Sequence, residues 1–501
     1  MRRLSTALIL TALFVASGAG VLGAQDASAE EFARRQYDSG LAFLRDQKYT
    51  EALKDFQAVV DGYPNSRVAD AALLQIAVYH LDTAGDPPAA QAAIDTLLKK
   101  YPTAESTPMA HVLAGRVLVA RGRGAAEIDA ALASYERVPR LFPGSDAVPA
   151  AMYHAGETLR LMRRDEEATT RYRQVSTDFP QSPWAGKALI GEARCLVATG
   201  KPQRAMELLQ RVRQRFPNTA DASRAMALNT ILYRIYLRAP AQPAFQLATR
   251  AIAGSAGKLK DIEAVALDAR DNVLAAGRSA VLVFDASGKV VSSITAIEPR
   301  SVSLDGGGRP LVAQKGGVVV GGQGIPLAAP KPDGTPRPLE EVPAVLASPL
   351  GDLLVADRGA KNIARFSPTG KYVGPFAAVN ARRLAMDSTG LTAGIEEDGG
   401  SIAIIEFDGK LRSRLSPRGQ GYQFDRPVDL AFDPFGHLYV LDRGQGAVVI
   451  FLLQPQPKVV ATFGVAQNAP GSFRKATAFG LDSAGRLFIY DDGAERIQIY
   501  Q

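Results

Sequence analysis

The sequence predicts a multi-domain chain, an N-terminal α-solenoid of paired helices followed by an all-β six-bladed propeller. Three observations predict it. Of the 46 glycines, 14 lie in residues 1–240 and 32 in 241–501, so the chain changes architecture near Pro240-Ala241-Gln242-Pro243. An aromatic-proline pair recurs five times in the first half, and a turn signal between apolar strands recurs six times in the second. Repeats of this length each build one supersecondary unit, and stacking buries a core that no single unit could bury alone.

The 501 residues exceed a single small module, and the 47% hydrophobic, 22% charged composition is that of a folded globular chain. A net charge of +7 spread over this length is too dilute a field to argue for nucleic acid, so none is expected as a partner. Four histidines (His80, His111, His154, His437) and one cysteine (Cys195) are too scattered to write HExxH, CxxC or a Cys/His cluster. No intramolecular disulfide and no cofactor are expected.

The N-terminus reads as an export signal. Met1-Arg2-Arg3 is a positive n-region, residues 7–16 are apolar, and Ala27-Ser28-Ala29 is an A-x-A cleavage site, so the mature chain is expected to start at Glu30. The apolar run is too short to span a bilayer, and no later stretch reaches that length. Gln25 stands where a lipidated cysteine would have to follow Leu22-Gly23-Ala24, so no lipid anchor is expected. The expected location is the periplasm or the exterior.

In residues 30–240 the pairs Tyr63-Pro64, Tyr101-Pro102, Phe142-Pro143, Phe179-Pro180 and Phe216-Pro217 are 38, 41, 37 and 37 residues apart. Twelve residues before each proline stands Ala52, Ala90, Ala131, Ala168 or Ala205. Eight before it stands Phe56, Ile94, Tyr135, Tyr172 or Leu209. A small residue lets two helices approach, a bulky one a turn later fills the gap between them, and proline ends the second helix. Five helix pairs follow, with Ser66, Ser182 and Thr219 as expected caps of the next helix and residues 219–238 as a terminal capping helix.

These positions resemble the tetratricopeptide repeat: Gly40, Phe43, Tyr49, Ala52, Phe56 and Pro64 in the first unit, and Gly156, Ala168, Tyr172 and Pro180 in the fourth. The period and the aromatic-Pro-x-Ser/Thr junction are similar to the periplasmic subclass that includes outer-membrane assembly lipoproteins and Tol-Pal-associated coordinators. That resemblance implies protein or peptide partners in the cell envelope.

In residues 241–501 the turns begin at Asp268, Asp305, Ser348, Asp387, Asp433 and Asp482, spaced by 37 to 49 residues, the length of a four-stranded blade. The unit Gly419 to Phe451 resembles the NHL repeat of six-bladed propellers. Asp357 and Asp491 occupy the place of Asp442, and the second blade lacks this acid. The chain stops after the third strand of the sixth blade, so residues 245–252 are expected to supply its outermost strand and leave no long open edge. The Pro-rich stretch Ala328 to Pro343 is expected to be an insertion outside the central strands.

Both halves present shape and need no reacting side chain, so the chain reads as an exported interaction scaffold. Two candidate partner-binding patches stand out. Arg204, Arg211 and Arg215 fall at helical spacing in a segment, residues 201–238, with eight basic residues against two acids. Arg278, Lys315, Arg358, Glu397, Arg443 and Asp492 fall in equivalent turns of the six blades, and the four cations among them would crowd one rim. The alternative is a divalent-metal-dependent hydrolase or lyase, since six-bladed propellers include calcium-dependent lactonases and lyases. Asp357, Asp442 and Asp491 are the candidate ligands for it, although their placement at turns favours a structural role and no metal site is expected.

Overall fold

The computed structural model describes residues 8–501 except 123, 240–241, 254–258, 399, 420, 465–470 and 474, with side chains described from residue 27. The charged start at Met1–Arg3, the side chains of the apolar run at 7–16 and the junction residues Pro240 and Ala241 therefore lie outside the described residues. The chain divides into two compact units, 1–155 and 156–501. Helix gives way to strand between Arg238 and Leu247, whereas the boundary between compact units falls earlier. The physical reason is that the last helices share a core with the propeller: Leu228, Ile231 and Ile235 belong to one buried cluster with Phe245, Phe435, Tyr439 and Leu487.

Among the described residues eleven α-helices run through the repeats: α1 (Leu8–Arg45), α2 (Tyr49–Gly62), α3 (Ala69–Asp82), α4 (Pro87–Lys100), α5 (Thr107–Arg121), α6 (Ala125–Leu141), α7 (Val148–Leu161), α8 (Asp165–Asp178), α9 (Ala185–Ala198), α10 (Pro202–Arg215) and α11 (Ala220–Leu232). A six-residue π-turn, Tyr233–Arg238, continues α11. No helix among the described residues is long and apolar enough to cross a membrane.

All five alanines and all five bulky residues of the sequence pattern are buried. The aromatic members need more than a small partner. A Cβ added to Gly40 would lie 2.7 Å from the Phe56 ring, one at Gly115 2.5 Å from Tyr135, and one at Gly156 2.8 Å from Tyr172. Each ring therefore lies flat on a bare helix backbone, which only glycine permits. Tyr172 is enclosed from the next pair as well, where a Cβ at Gly191 would come within 2.6 Å. Burying each such ring contributes about 1.5–3 kcal/mol.

The junctions differ in detail from the expected caps. Thr219 does cap α11, accepting from the Ala222 N–H at 3.2 Å. Ser66 and Ser182 do not cap. Their backbone N–H groups close turns onto Tyr63 O and Phe179 O, and α3 and α9 start only after Val68 and Trp184. The helix start is displaced by two residues at these two junctions, so the hydroxyl is out of reach of the orphan amides.

The propeller consists of six four-stranded antiparallel sheets, spanning 264–295, 301–326, 345–377, 381–415, 427–464 and, for the sixth, 476–500. The sixth sheet takes its outermost strand from Leu247–Ile252, which pairs antiparallel with Arg496–Tyr500, Leu247 opposite Tyr500 and Ile252 opposite Ile497. Gln246 and Gln501 exchange both backbone hydrogen bonds, at 2.7 and 2.8 Å. Within the Pro-rich stretch, Ala328–Pro330 and Pro336–Pro338 form a two-stranded ribbon separate from the blades.

One device repeats in all six blades between the innermost strand and the next. The side-chain oxygen of Asp268, Asp305, Ser348, Asp387, Asp433 or Asp482 accepts from the backbone N–H groups two and four residues on. This is the Asx-type turn that short acceptor side chains favour.

Candidate functional site

On α10, Ala205, Met206, Leu209 and Val212 face the core. Arg204, Arg211 and Arg215 are exposed, and none has a carboxylate within ion-pairing distance among the described residues. Arg215 lies over the Phe216 ring, 5.7 Å from its centroid.

The rim is electrically different from its count of cations. Arg278 pairs with Asp261 at 2.9 Å and Lys315 with Glu298 at 3.3 Å. Arg358 pairs with Glu341 at 2.5 Å and Glu397 at 2.6 Å, contacts that hold its guanidinium above its ordinary pKa and the Glu341 carboxyl below its own. Arg443 is half-buried, and its backbone N–H donates to Arg426 O. Acids on neighbouring loops neutralise most of the positive field that equivalent turns alone would produce. Asp261, Glu298 and Glu341 come from between the blades and gave no signal at the loop positions, whereas Glu397 stands in the equivalent turn of blade four.

Inside that rim is a cavity of about 450 Å³ lined by Glu263, Glu298, Arg300, Lys315, Arg358, Arg382, Arg383 and Glu397 among others. A second cavity of about 450 Å³ is lined by the innermost strands of all six blades. Arg383 borders both. Its guanidinium donates to Glu263 O at 2.9 Å, with the Glu263 carboxylate at 3.7 Å and Asp429 Oδ1 at 4.0 Å. Burial pushes the Asp429 carboxyl up to about 6, against the opposing pull of Arg383 and of the backbone N–H groups of Phe479 and Leu430. Acids and bases are matched around this channel, which suits polar recognition more than the stabilisation of one developing charge.

The three candidate metal ligands lie in separate blades and are engaged by their own turns. Asp442 accepts backbone N–H groups from Asp425, Arg426, Gly444 and Gln445 at 2.8 to 3.2 Å. Asp491 accepts from Gly493 and Ala494 at 2.8 and 3.2 Å. Asp357 accepts from Ala360 and pairs with Arg337 of the Pro-rich ribbon. Among the described residues no three His, Cys, Asp or Glu side chains converge as a metal site. Asp357, Asp442 and Asp491 therefore do not form one donor set, since each lies in a different blade and is held by its own neighbours.

A buried polar cluster in residues 156–501 was not legible in the sequence. Asp433 Oδ2 accepts from His437 Nδ1 at 2.7 Å, and Tyr236 donates its hydroxyl to His437 Nε2 at 2.8 Å. Asp433 and His437 are fully buried, and burial raises the Tyr236 pKa, so its hydroxyl stays a donor. Beside it, Arg234 donates to Ala484 O at 2.8 Å, Arg163 lies 3.5 Å from the Asp387 carboxylate, and Arg160 reaches Ser388. The solenoid's last helices are thereby joined to the Asx turns of blades four, five and six. The spacing Asp433-x-x-x-His437 was visible, but its third member stands 201 residues away.

Comparison with known proteins agrees with this architecture. Residues 29–146 match the YfiO outer membrane lipoprotein family, and residues 163–228 match the tetratricopeptide repeat. A 104-residue stretch is 29% identical to NHL repeat-containing protein 3 of Homo sapiens and 27% identical to that of Mus musculus, covering 20% of this chain. The match spans only 28% of those relatives. Among solved structures, virginiamycin B lyase from Staphylococcus aureus is 10% identical with a TM-score of 0.36, covering 51% of this chain and 99% of that one. A gluconolactonase from Xanthomonas campestris is 16% identical with a TM-score of 0.39, covering 51% and 98%. Tetratricopeptide-type repeats and an NHL-like six-bladed propeller thus occur in one chain.

Proposed function

We propose that this protein is a non-catalytic scaffold of the cell envelope, exported by a signal cleaved before Glu30, whose helical repeats hold protein partners and are carried on the same chain as a propeller. The observation that carries this reading is the division of labour among charges. The propeller's repeated acids are consumed in its own turns, while Arg204, Arg211 and Arg215 are exposed on α10 without carboxylate partners among the described residues. A repeat scaffold recognises peptides and helices by shape and complementary charge. The match of residues 29–146 to an outer membrane lipoprotein family supports the envelope setting. The competing hydrolase or lyase reading gains nothing from Asp357, Asp442 and Asp491, which lie apart and hold backbone amides.

The test is crosslinking of the full chain in its native envelope, with and without Arg204→Glu, Arg211→Glu and Arg215→Glu. A defined protein partner lost with the charge reversal is the expected result. Turnover of a lactone by the purified chain, abolished by Asp357→Asn with the fold intact, would replace this reading with the enzymatic one. N-terminal sequencing of the exported protein checks the start at Glu30.

A further inference from the structure

The helix that ends the solenoid carries an apolar outer stripe where a terminal repeat ordinarily keeps a polar one for solubility. Met226, Tyr233 and Leu237 are 56%, 49% and 49% exposed, while Ala225, Leu228, Ile231, Leu232 and Ile235 are buried. Steps of seven and four residues align the three along one side of the helix. The other sides are engaged: Arg234 reaches blade six, Tyr236 reaches His437 of blade five, and α11 packs along α10. Three large apolar side chains on one side, with Thr230 between the first two, on a helix otherwise held in place form the kind of surface that a further helix covers.

Charge selects the occupant. The segment bearing the stripe, residues 201–238, holds Lys201, seven arginines and only Glu207 and Asp221 as acids. Arg204, Arg211, Arg215 and Arg224 are exposed. Such a field attracts an acidic surface over roughly a Debye length, about 8 Å at physiological salt.

We propose that an acidic amphipathic helix of a partner protein docks along Met226, Tyr233 and Leu237, in the position that a further repeat helix would take. Apolar residues of the partner at i, i+3/i+4 and i+7 cover the stripe, and its Asp and Glu face the arginines, which is helix-in-groove recognition. Tyr233 is the expected anchor, since a rigid aromatic with a polar tip supplies large contact area at low entropic cost. This deepens the scaffold reading above and rests on it.

The experiment uses the full chain and a labelled synthetic peptide with Leu at heptad a and d positions and Glu elsewhere, alongside its Lys counterpart, read by fluorescence anisotropy. The acidic peptide is expected to bind, with affinity falling as NaCl rises. Tyr233→Ser with Leu237→Ser, and separately Arg211→Glu with Arg215→Glu, should each weaken it about tenfold or more. These positions are exposed, so unfolding midpoints should match the parent chain, which separates lost contact from lost fold. Equal binding of the Lys peptide, indifference to the Tyr233 change, or no binding of the acidic peptide overturns the proposal. So does a dimer in sedimentation that Tyr233→Ser converts to monomer, because the occupant is then a second copy. A native partner crosslinked to another surface, with Tyr233 uninvolved, overturns this inference and leaves the scaffold reading standing. A chain that crosslinks no partner anywhere overturns both.

Discussion

Replacing Tyr236 by Phe removes one hydroxyl and little else, which makes it a clean probe of how the helical repeats are joined to the propeller. Its ring packs 5.7 Å from the His437 imidazole, a contact Phe retains. The lost atom is the donor to His437 Nε2 at 2.8 Å. With Asp433 Oδ2 accepting at 2.7 Å, His437 carries a proton on Nδ1, and Nε2 is left to accept from Tyr236. His437 is fully exposed to neither water nor solvent-borne ions, being 0% accessible. The variant therefore leaves a buried acceptor unpaired, at a cost of about 1–3 kcal/mol. The assay is urea unfolding followed by Trp184, the chain's single tryptophan, which opens α9 in the same compact unit. A second variant, Asp433→Asn, tests the network: if the three groups act together, the double variant costs less than the sum of the singles. A Tyr236→Phe change below about 0.3 kcal/mol, or strict additivity with Asp433→Asn, would refute the account of this cluster as the polar link.

Gly191→Ala drives a Cβ to within 2.6 Å of the fully buried Tyr172 ring and should destabilise by about 1–3 kcal/mol in the same unfolding assay. Asp442→Asn replaces one of two carboxylate oxygens that accept four backbone amides by an NH2 facing an N–H, so it should lower the thermal midpoint, whereas a ligand-only role would leave stability unchanged. Asp429 gives a pH dependence of known sign. Its folded pKa of about 6 lies above the ordinary 3.8, so its favourable contribution is present below 3.8 and is lost as pH rises through 6. Arg383→Gln removes the opposing cation 4.0 Å away, so the variant should lose more stability relative to the parent at pH 8 than at pH 4, measured by urea titration at both.

Repetition made the two architectures legible. The aromatic-proline period, the alanine and bulky offsets and the six turn signals each recur with local physical causes: helix contact, helix termination and side-chain acceptance of turn amides. A pattern stated five or six times needs no knowledge of distant residues. The glycines opposite Phe56, Tyr135 and Tyr172 were also local once the rings were known to be buried. Ser66 and Ser182 misled because the same proline-x-hydroxyl junction is followed by a helix that starts two residues later in α3 and α9 than in α11.

The residues that join the parts were silent for the opposite reason. Tyr236 is one tyrosine among 15, and nothing near it in the chain marks it as the partner of a histidine 201 residues on. Likewise the rim cations looked like a positive ring until Asp261, Glu298, Glu341 and Glu397 were brought beside them. Short-range order is written in spacing, because the steric and hydrogen-bond rules that produce it act over a few residues. Pairing across blades and between helix and turn is set by packing of the whole unit, which selects single residues with no period to announce them.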